Sequence, residues 1–292
     1  MLLSEFIRDG AGRLETLYPS PEARGLVLML CAEKLGTTSY THIVEPQTRV
    51  PDDRLAELEE DLRRLAGGEP IQYVLGVAEF CGHRFAVGPG VLVPRPETEL
   101  LVADAVRLLR EMDLDRAPRV LDLCTGSGCI AWSIALDIRD AEVVGIDLSE
   151  AALGYARSQF GGSGLVRQSP EFLQADVLDT EQAFPYGPFD LMVSNPPYVL
   201  ERERAQMRTN VLDWEPELAL FVPDDDPLRF YRAVARWAQH FLRPGGVGLV
   251  EINEALGPET AELFRAAGFK NVQNLPDFYK KERFVRFQAA ED

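Results

Sequence analysis

Two runs decide the fold: VLDLCTGSGCIA at residues 120–131, and EVVGID at residues 142–147. The first is an apolar strand, a turn of small residues, and then the start of an apolar helix. Gly126 and Gly128 would let the backbone approach a ligand closely beside a helix N-terminus. Asp147 closes the second strand about 20 residues after the turn, where a doubly wound nucleotide site sets a carboxylate on ribose hydroxyls.

Outward from these runs the pattern alternates. RVLDL, EVVGID, EFLQAD, FDLMVSN and GVGLVEIN read as strands, and KNVQNL and RFVRFQ as two more near the end. Helical patterns lie between most of them. Strand–helix alternation of this kind predicts an α/β fold, a mostly parallel seven-stranded sheet with helices on both faces.

The first 66 or so residues read as helical. Ser20-Pro21 predicts a cap followed by proline in the first turn, with Gly36 ending that helix. A second helix spans 51–66, with Asp52 and Asp53 near its positive end and Arg63 and Arg64 near its negative end. IQYVLGVAEF and HRFAVGPGVLV are short apolar runs broken by glycines and predict strands in a hairpin. The expected organisation is a helical domain over 1–69, a β-hairpin linker over 70–94, and an α/β domain over 95–292.

The chain of 292 residues carries a net charge of −17, with 14 acids and 10 bases in residues 1–95 and 33 acids and 20 bases in the rest. A phosphate backbone as main partner calls for the opposite sign. The four cysteines, at 31, 81, 124 and 129, form no CxxC pair, and the three histidines lie far apart, so zinc-ligand spacing is absent. No metal is expected. No apolar run reaches the roughly 18–20 residues of a membrane helix, and the N-terminus does not read as a secretory signal. A cytoplasmic, monomeric protein is the expectation.

The turn is not GxGxxG, and an acid, Asp122, precedes it. A carboxylate there suits a ligand with a positive group and no phosphate. S-adenosyl-L-methionine, with its ammonium, sulfonium and ribose, suits both Asp122 and Asp147. Asp176, after the next strand, could accept the adenine amino group, with Val177 against the ring.

SNPPYV (194–199) follows the apolar strand FDLMV. In an open parallel sheet, ligands bind beyond the carboxyl ends of the strands. A planar NH2 nitrogen is a poor nucleophile because its lone pair is delocalised. The Asn195 side-chain oxygen and the Pro196 carbonyl, on a backbone stiffened by proline, could hold its two hydrogens. That would aim the lone pair and stabilise charge developing on nitrogen. Tyr198 could pack on the planar acceptor.

With these motifs the chain resembles the class I S-adenosylmethionine-dependent amino-methyltransferases, both N6-adenine DNA methyltransferases and protein glutamine N5-methyltransferases. EPIQYVLGVAEFCGHRFAV (69–87), VLVPRPETELLV (91–102), EPELALF (215–221) and the helical N-terminus resemble the release factor glutamine N5-methyltransferase family, HemK/PrmC. The resemblance implies a Rossmann-like methyltransferase domain. It implies methylation of the glutamine in the Gly-Gly-Gln motif of class I peptide-chain release factors, with the helical domain holding the factor. Cofactor contacts would come from Cys124, Thr125, Gly126, Ser127, Gly128, Asp147, Asp176, Val177 and Asn195. Asn195, Pro196, Pro197 and Tyr198 would bind the glutamine amide, and Arg95 and Glu97 would shape the cleft. Three departures stand out. Cys124 replaces a glycine, so that position need not have positive φ; Val177 replaces an aromatic; EINEALG (251–257) lacks the usual glycine and glutamine. An N6-adenine nucleic-acid methyltransferase, whose acceptor presents the same NH2 geometry, stays as the rival reading.

Overall fold

The computed structural model describes residues 1–160 and 164–291. They form two compact units. One is Met1–Val77 with Arg208–Trp214, the other Ala78–Met207 with Glu215–Asp292.

The helical unit contains α1 (Leu3–Leu14), α2 (Ser20–Leu35), the short α3 (Thr41–Val44), α4 (Asp52–Ala66) and α5 (Ile71–Leu75). Leu3, Phe6, Ile7 and Leu14 of α1 meet Ala23, Val27 and Leu30 of α2 and Leu58, Leu62 and Leu65 of α4 in one buried core. These residues recur at three and four positions, so each helix turns a single apolar stripe inward. Gly36 ends α2 in the left-handed conformation at φ 67°. Ser20, expected as the cap, is the first helical residue instead; Pro19 takes the cap position, its φ already held near the helical value.

IQYVL is helical, not the expected strand. Its aromatic and β-branched residues favour strand locally. Spaced three apart, however, Ile71 and Val74 both reach the helical core, and Gly76 ends the turn at φ 72°. The hairpin itself is shorter than expected, β1 (Val77–Phe80) and β2 (His83–Ala86). VLV (91–93) forms no strand, because the Val93 N–H donates to a side chain, Glu215 Oε2, at 3.0 Å.

The larger unit continues with α6 (Thr98–Glu111), β3 (Arg119–Leu123), α7 (Cys129–Asp137), β4 (Glu142–Asp147), α8 (Glu150–Ser158), β5 (Glu171–Gln174), β6 (Phe189–Ser194) and β7 (Val199–Leu200). α9 (Thr209–Leu212) belongs to the helical unit. Then follow β8 (Phe221–Val222), α10 (Arg229–Phe241), β9 (Leu242–Glu251), α11 (Gly257–Ala266), β10 (Lys270–Pro276) and β11 (Glu282–Gln288).

The seven-stranded sheet has the order β10-β11-β9-β6-β3-β4-β5. β11 is antiparallel to both neighbours, and the other pairs are parallel. Apolar cores cover both faces: one is built on Trp237, Phe264 and Phe287, the other on Trp132, Leu101 and Phe85. The central strands are buried on both sides, so they read as continuous apolar runs.

From β3 the chain runs outward through β4 and β5, then returns to β6 on the other side of β3. This reversal opens a crevice at the carboxyl ends of β3 and β6. Register places Leu123 beside both Ile146 and Ser194, and Ser194 beside Val250. The four residues that come next, Cys124, Asp147, Asn195 and Glu251, therefore emerge in one row.

Candidate active site

The turn after β3 is tied down locally. The Thr125 hydroxyl donates to Asp122 Oδ2 at 2.6 Å, and the Thr125 N–H donates to the Ile146 carbonyl at 2.9 Å. Gly126 N–H donates to Asp147 Oδ2 at 2.9 Å, and Ser149 N–H to Asp147 Oδ1 at 2.8 Å. Each carboxylate oxygen keeps a lone pair for a further donor. Burial pushes the Asp147 carboxyl above its ordinary value, and these N–H bonds pull against that.

Gly126 and Gly128 both have positive φ, 55° and 76°. A Cβ on Gly126 would meet open space, whereas one on Gly128 would lie 3.0 Å from the side chains of Ala156 and Phe172. Gly126 thus faces the cleft, and Gly128 lets α7 pack on α8. Cys124 also has positive φ, 60°, although it is not a glycine. The residue after it, Thr125, is bonded to both Asp122 and the Ile146 carbonyl. Burial holds the Cys124 thiol well above the ordinary value.

Asp122 does not reach a ligand. It is fully buried under the turn, bonded to Thr125, and is not among the residues that line the cleft. Burial raises its carboxyl to about 7. The assignment of Asp122 to a positive ligand group is therefore withdrawn.

The cleft encloses about 1070 Å³ of empty space, its open mouth included. Cys124, Thr125, Gly126, Ser127, Asp147, Asp176, Val177, Asn195 and Pro197 line it; Gly128 does not. Val91, Leu92, Leu148 and Phe230 supply apolar walls. Asp176 lies two residues beyond β5, where its Oδ1 accepts the Leu178 N–H at 2.8 Å. Val177 is buried, and its carbonyl accepts from Trp237 Nε1 at 3.0 Å. Two acids, the open face at Gly126 and apolar walls fit S-adenosylmethionine: hydroxyl donors for Asp147, an amino donor for Asp176, and a planar base for Val177 and its apolar neighbours.

A second cavity adjoins the first. Asn195, Pro196, Tyr198, Arg95 and Leu92 line it, with Val199, Met207, Ala219 and Leu220. Asn195 is common to both cavities. β7 and β8 pair here, Val199 with Phe221 and Leu200 with Val222, so EPELALF is brought against the exit of NPPY. Glu215, almost fully buried, joins it to PRPETE: Oε1 accepts from Arg95 Nη2 at 2.6 Å and Oε2 from Val93 N–H. Glu97 lines neither cavity and sits at the start of α6.

Sequence reasoning missed Thr98 and Glu251. Thr98 Oγ1 donates to Glu251 Oε2 at 2.7 Å, and the Tyr198 hydroxyl donates to Glu251 Oε1 at 2.9 Å. Asn195 Nδ2 donates to Thr98 Oγ1 at 3.2 Å. Asn253, within EINEALG, donates to the Tyr198 carbonyl at 3.1 Å and to Glu203 Oε2 at 2.9 Å. A signal was present: Glu251 is an acid ending an apolar strand, as Asp147 is.

A family described as "PrmC N-terminal domain" matches residues 5–76, and one described as "Methyltransferase domain" matches 120–213. The release factor glutamine methyltransferase of Bacteroides thetaiotaomicron is 41% identical over 97% of this chain and 98% of its own. That of Streptomyces coelicolor is 38% identical over 99% of each. Among solved structures, the protein-(glutamine-N5) methyltransferase (release factor-specific) from Alicyclobacillus acidocaldarius is 30% identical, covering 70% of this chain and 99% of its own at a TM-score of 0.41.

Proposed function

We propose that this chain, which belongs to the release factor glutamine methyltransferase family, transfers a methyl group from S-adenosylmethionine to the side-chain amide nitrogen of the glutamine in the Gly-Gly-Gln motif of class I peptide-chain release factors. One observation carries the reading. Asn195 stands where two cavities meet, one lined by the turn after β3 with Asp147 and Asp176, and one lined by the NPPY corner.

When bound, S-adenosylmethionine supplies an electrophilic methyl on sulfonium. The residues that would hold it are Thr125 to Ser127, Asp147, Asp176 and Val177. The glutamine amide enters the second cavity. Its two N–H groups are accepted by Asn195 Oδ1 and the Pro196 carbonyl, so the nitrogen lone pair points out of the amide plane toward the cofactor cleft. These acceptors gain strength as positive charge grows on the nitrogen, which is where they favour the transition state over the ground state. The methylated nitrogen is acidic enough to release its proton to water, and no general base is required. Tyr198 and Leu92 wall the amide and keep water from competing.

Further parts of the reading concern the setting. The helical unit holds the release factor, the enzyme acts as a cytoplasmic monomer, and it makes no direct contact with nucleic acid. A net charge of −17 supports the last point. No helix among the described residues is long and apolar enough to cross a membrane.

The test is a methyl-transfer assay with labelled S-adenosylmethionine and a purified class I release factor. Label is expected on the intact factor and not on one whose motif glutamine is replaced. Label on DNA, or none on the factor while the cofactor binds, overturns the reading.

A further inference from the structure

An asparagine amide has an oxygen end and a nitrogen end of nearly the same shape, and a half-turn exchanges them. Only the oxygen can accept a substrate N–H. Something must choose between the two orientations, and donor counting around Asn195 identifies it. Glu251 is 1% exposed and lies at the end of β9, in the row that contains Asn195. An ionised carboxylate only accepts. Thr98 has one hydroxyl hydrogen, and Glu251 Oε2 takes it at 2.7 Å. Thr98 Oγ1 can then only accept from its other side, where Asn195 lies 3.2 Å away. The end of the amide that faces Thr98 must be Nδ2, which leaves Oδ1 for the acceptor. Tyr198 completes the arrangement by donating to Oε1 at 2.9 Å.

We propose that Glu251, acting through Thr98, is the positioning group that sets the orientation of the Asn195 amide and so presents its oxygen to the substrate nitrogen. The inference rests on the functional reading above for the identity of that nitrogen.

The polarity of this relay depends on the charge of Glu251. Burial works to raise its carboxyl, while the Thr98 and Tyr198 hydrogen bonds and Arg283 lower it and Glu97 raises it. Tyr231 faces it from α10, and Arg283 from β11 is itself paired with Asp277 and Glu254, each at 3.2 Å. A protonated Glu251 can donate to Thr98, whose hydrogen then turns to Asn195 and selects the wrong end of the amide. Turnover should therefore fall on the acid side.

Three variants test this: Thr98→Val, Thr98→Ser and Glu251→Gln, each checked for fold by melting and for cofactor binding by calorimetry. Thr98→Val should lower kcat about 10–100-fold, as loss of an orienting partner does elsewhere, with cofactor affinity nearly unchanged. Thr98→Ser should restore most of it. Glu251→Gln should lower kcat and remove the acid limb of the wild-type kcat profile. The Asn195 side-chain 15N–1H resonances should shift in Thr98→Val even without substrate. Wild-type turnover in Thr98→Val, an acid limb that persists in Glu251→Gln, or unshifted Asn195 resonances would each overturn the proposal. A wild-type enzyme that labels no release factor fails the functional reading instead, and the resonance shift still decides this one.

Discussion

The turn after β3 and the corner after β6 sit on neighbouring strands and are held by different means. The turn is local. Its main bonds join Thr125 to Asp122, three residues away, and Gly126 to Asp147, 21 away. The corner is anchored over long separations: Asn195 to Thr98 across 97 residues, Tyr198 to Glu251 across 53, and Thr98 to Glu251 across 153. Each region also carries one buried acid with a raised carboxyl. Asp122 accepts from a single hydroxyl, that of Thr125, and Glu251 from two, those of Thr98 and Tyr198. The turn takes its shape from nearby chain, whereas the corner draws on elements from three parts of the chain.

If this division is right, damage to the two regions should separate in kinetics. Asn195→Ala should cut kcat about 10²–10³-fold, the scale seen when one stabilising hydrogen-bond partner of a transition state is lost. Steady-state assays in both substrates check it, and equal losses in cofactor affinity would dissolve the contrast. Asp147→Ala should do the reverse, weakening cofactor binding about 10–100-fold with kcat at saturation little changed, since hydrogen bonds to a charged group are worth about 1.5–3 kcal/mol. Titration calorimetry measures that directly.

Within the turn, the two glycines sharpen the comparison further. Gly126→Ala should cost about 1–2 kcal/mol from positive φ alone. Gly128→Ala should cost about 1–3 kcal/mol more, because its Cβ would press on Ala156 and Phe172. Urea unfolding of both variants gives the difference.

The remaining effect is a pH slope. Asp122 titrates at about 7 in the fold, against 3.8 ordinarily. Between those values the folded state keeps a proton that the unfolded chain has lost, so this group makes stability fall as pH rises from about 4 to about 7. Asp122→Asn should flatten that part of the stability profile, measured by unfolding at pH 4.5, 6 and 8. An unchanged slope would mean that Asp122 is ionised beneath the turn.

The legible parts of the site follow the same division. Gly126 and Asp147 could be read because a strand, a turn and the next strand lie within one short stretch, so spacing carries the geometry. Asn195 to Tyr198 could be read because two prolines make the corner rigid whatever surrounds it. Asp122 was misread: an acid at the end of an apolar strand looks the same whether it points to the cleft or beneath the turn. The positive φ of Cys124 could not be read from sequence, because cysteine does not favour that conformation. IQYVL was misread because its fate depended on a helical core already formed by α1, α2 and α4. Thr98, Glu215 and Glu251 were passed over, since their partners are 53 to 153 residues distant.

By itself, the sequence determined the alternating α/β sheet, the helical N-terminal stretch, the cofactor turn and the NPPY corner, along with the family to which they belong. These rest on periodicity, on backbone restriction by glycine and proline, and on short-range spacing, all of which are properties of contiguous chain. Tertiary structure alone decided the row in which Cys124, Asp147, Asn195 and Glu251 emerge, the Glu215 link between two distant motifs, and the contact of the Asn195 amide with Thr98. Strand order and register set those, and a hydrogen bond takes its direction from whichever partner the fold brings to within 3 Å or so.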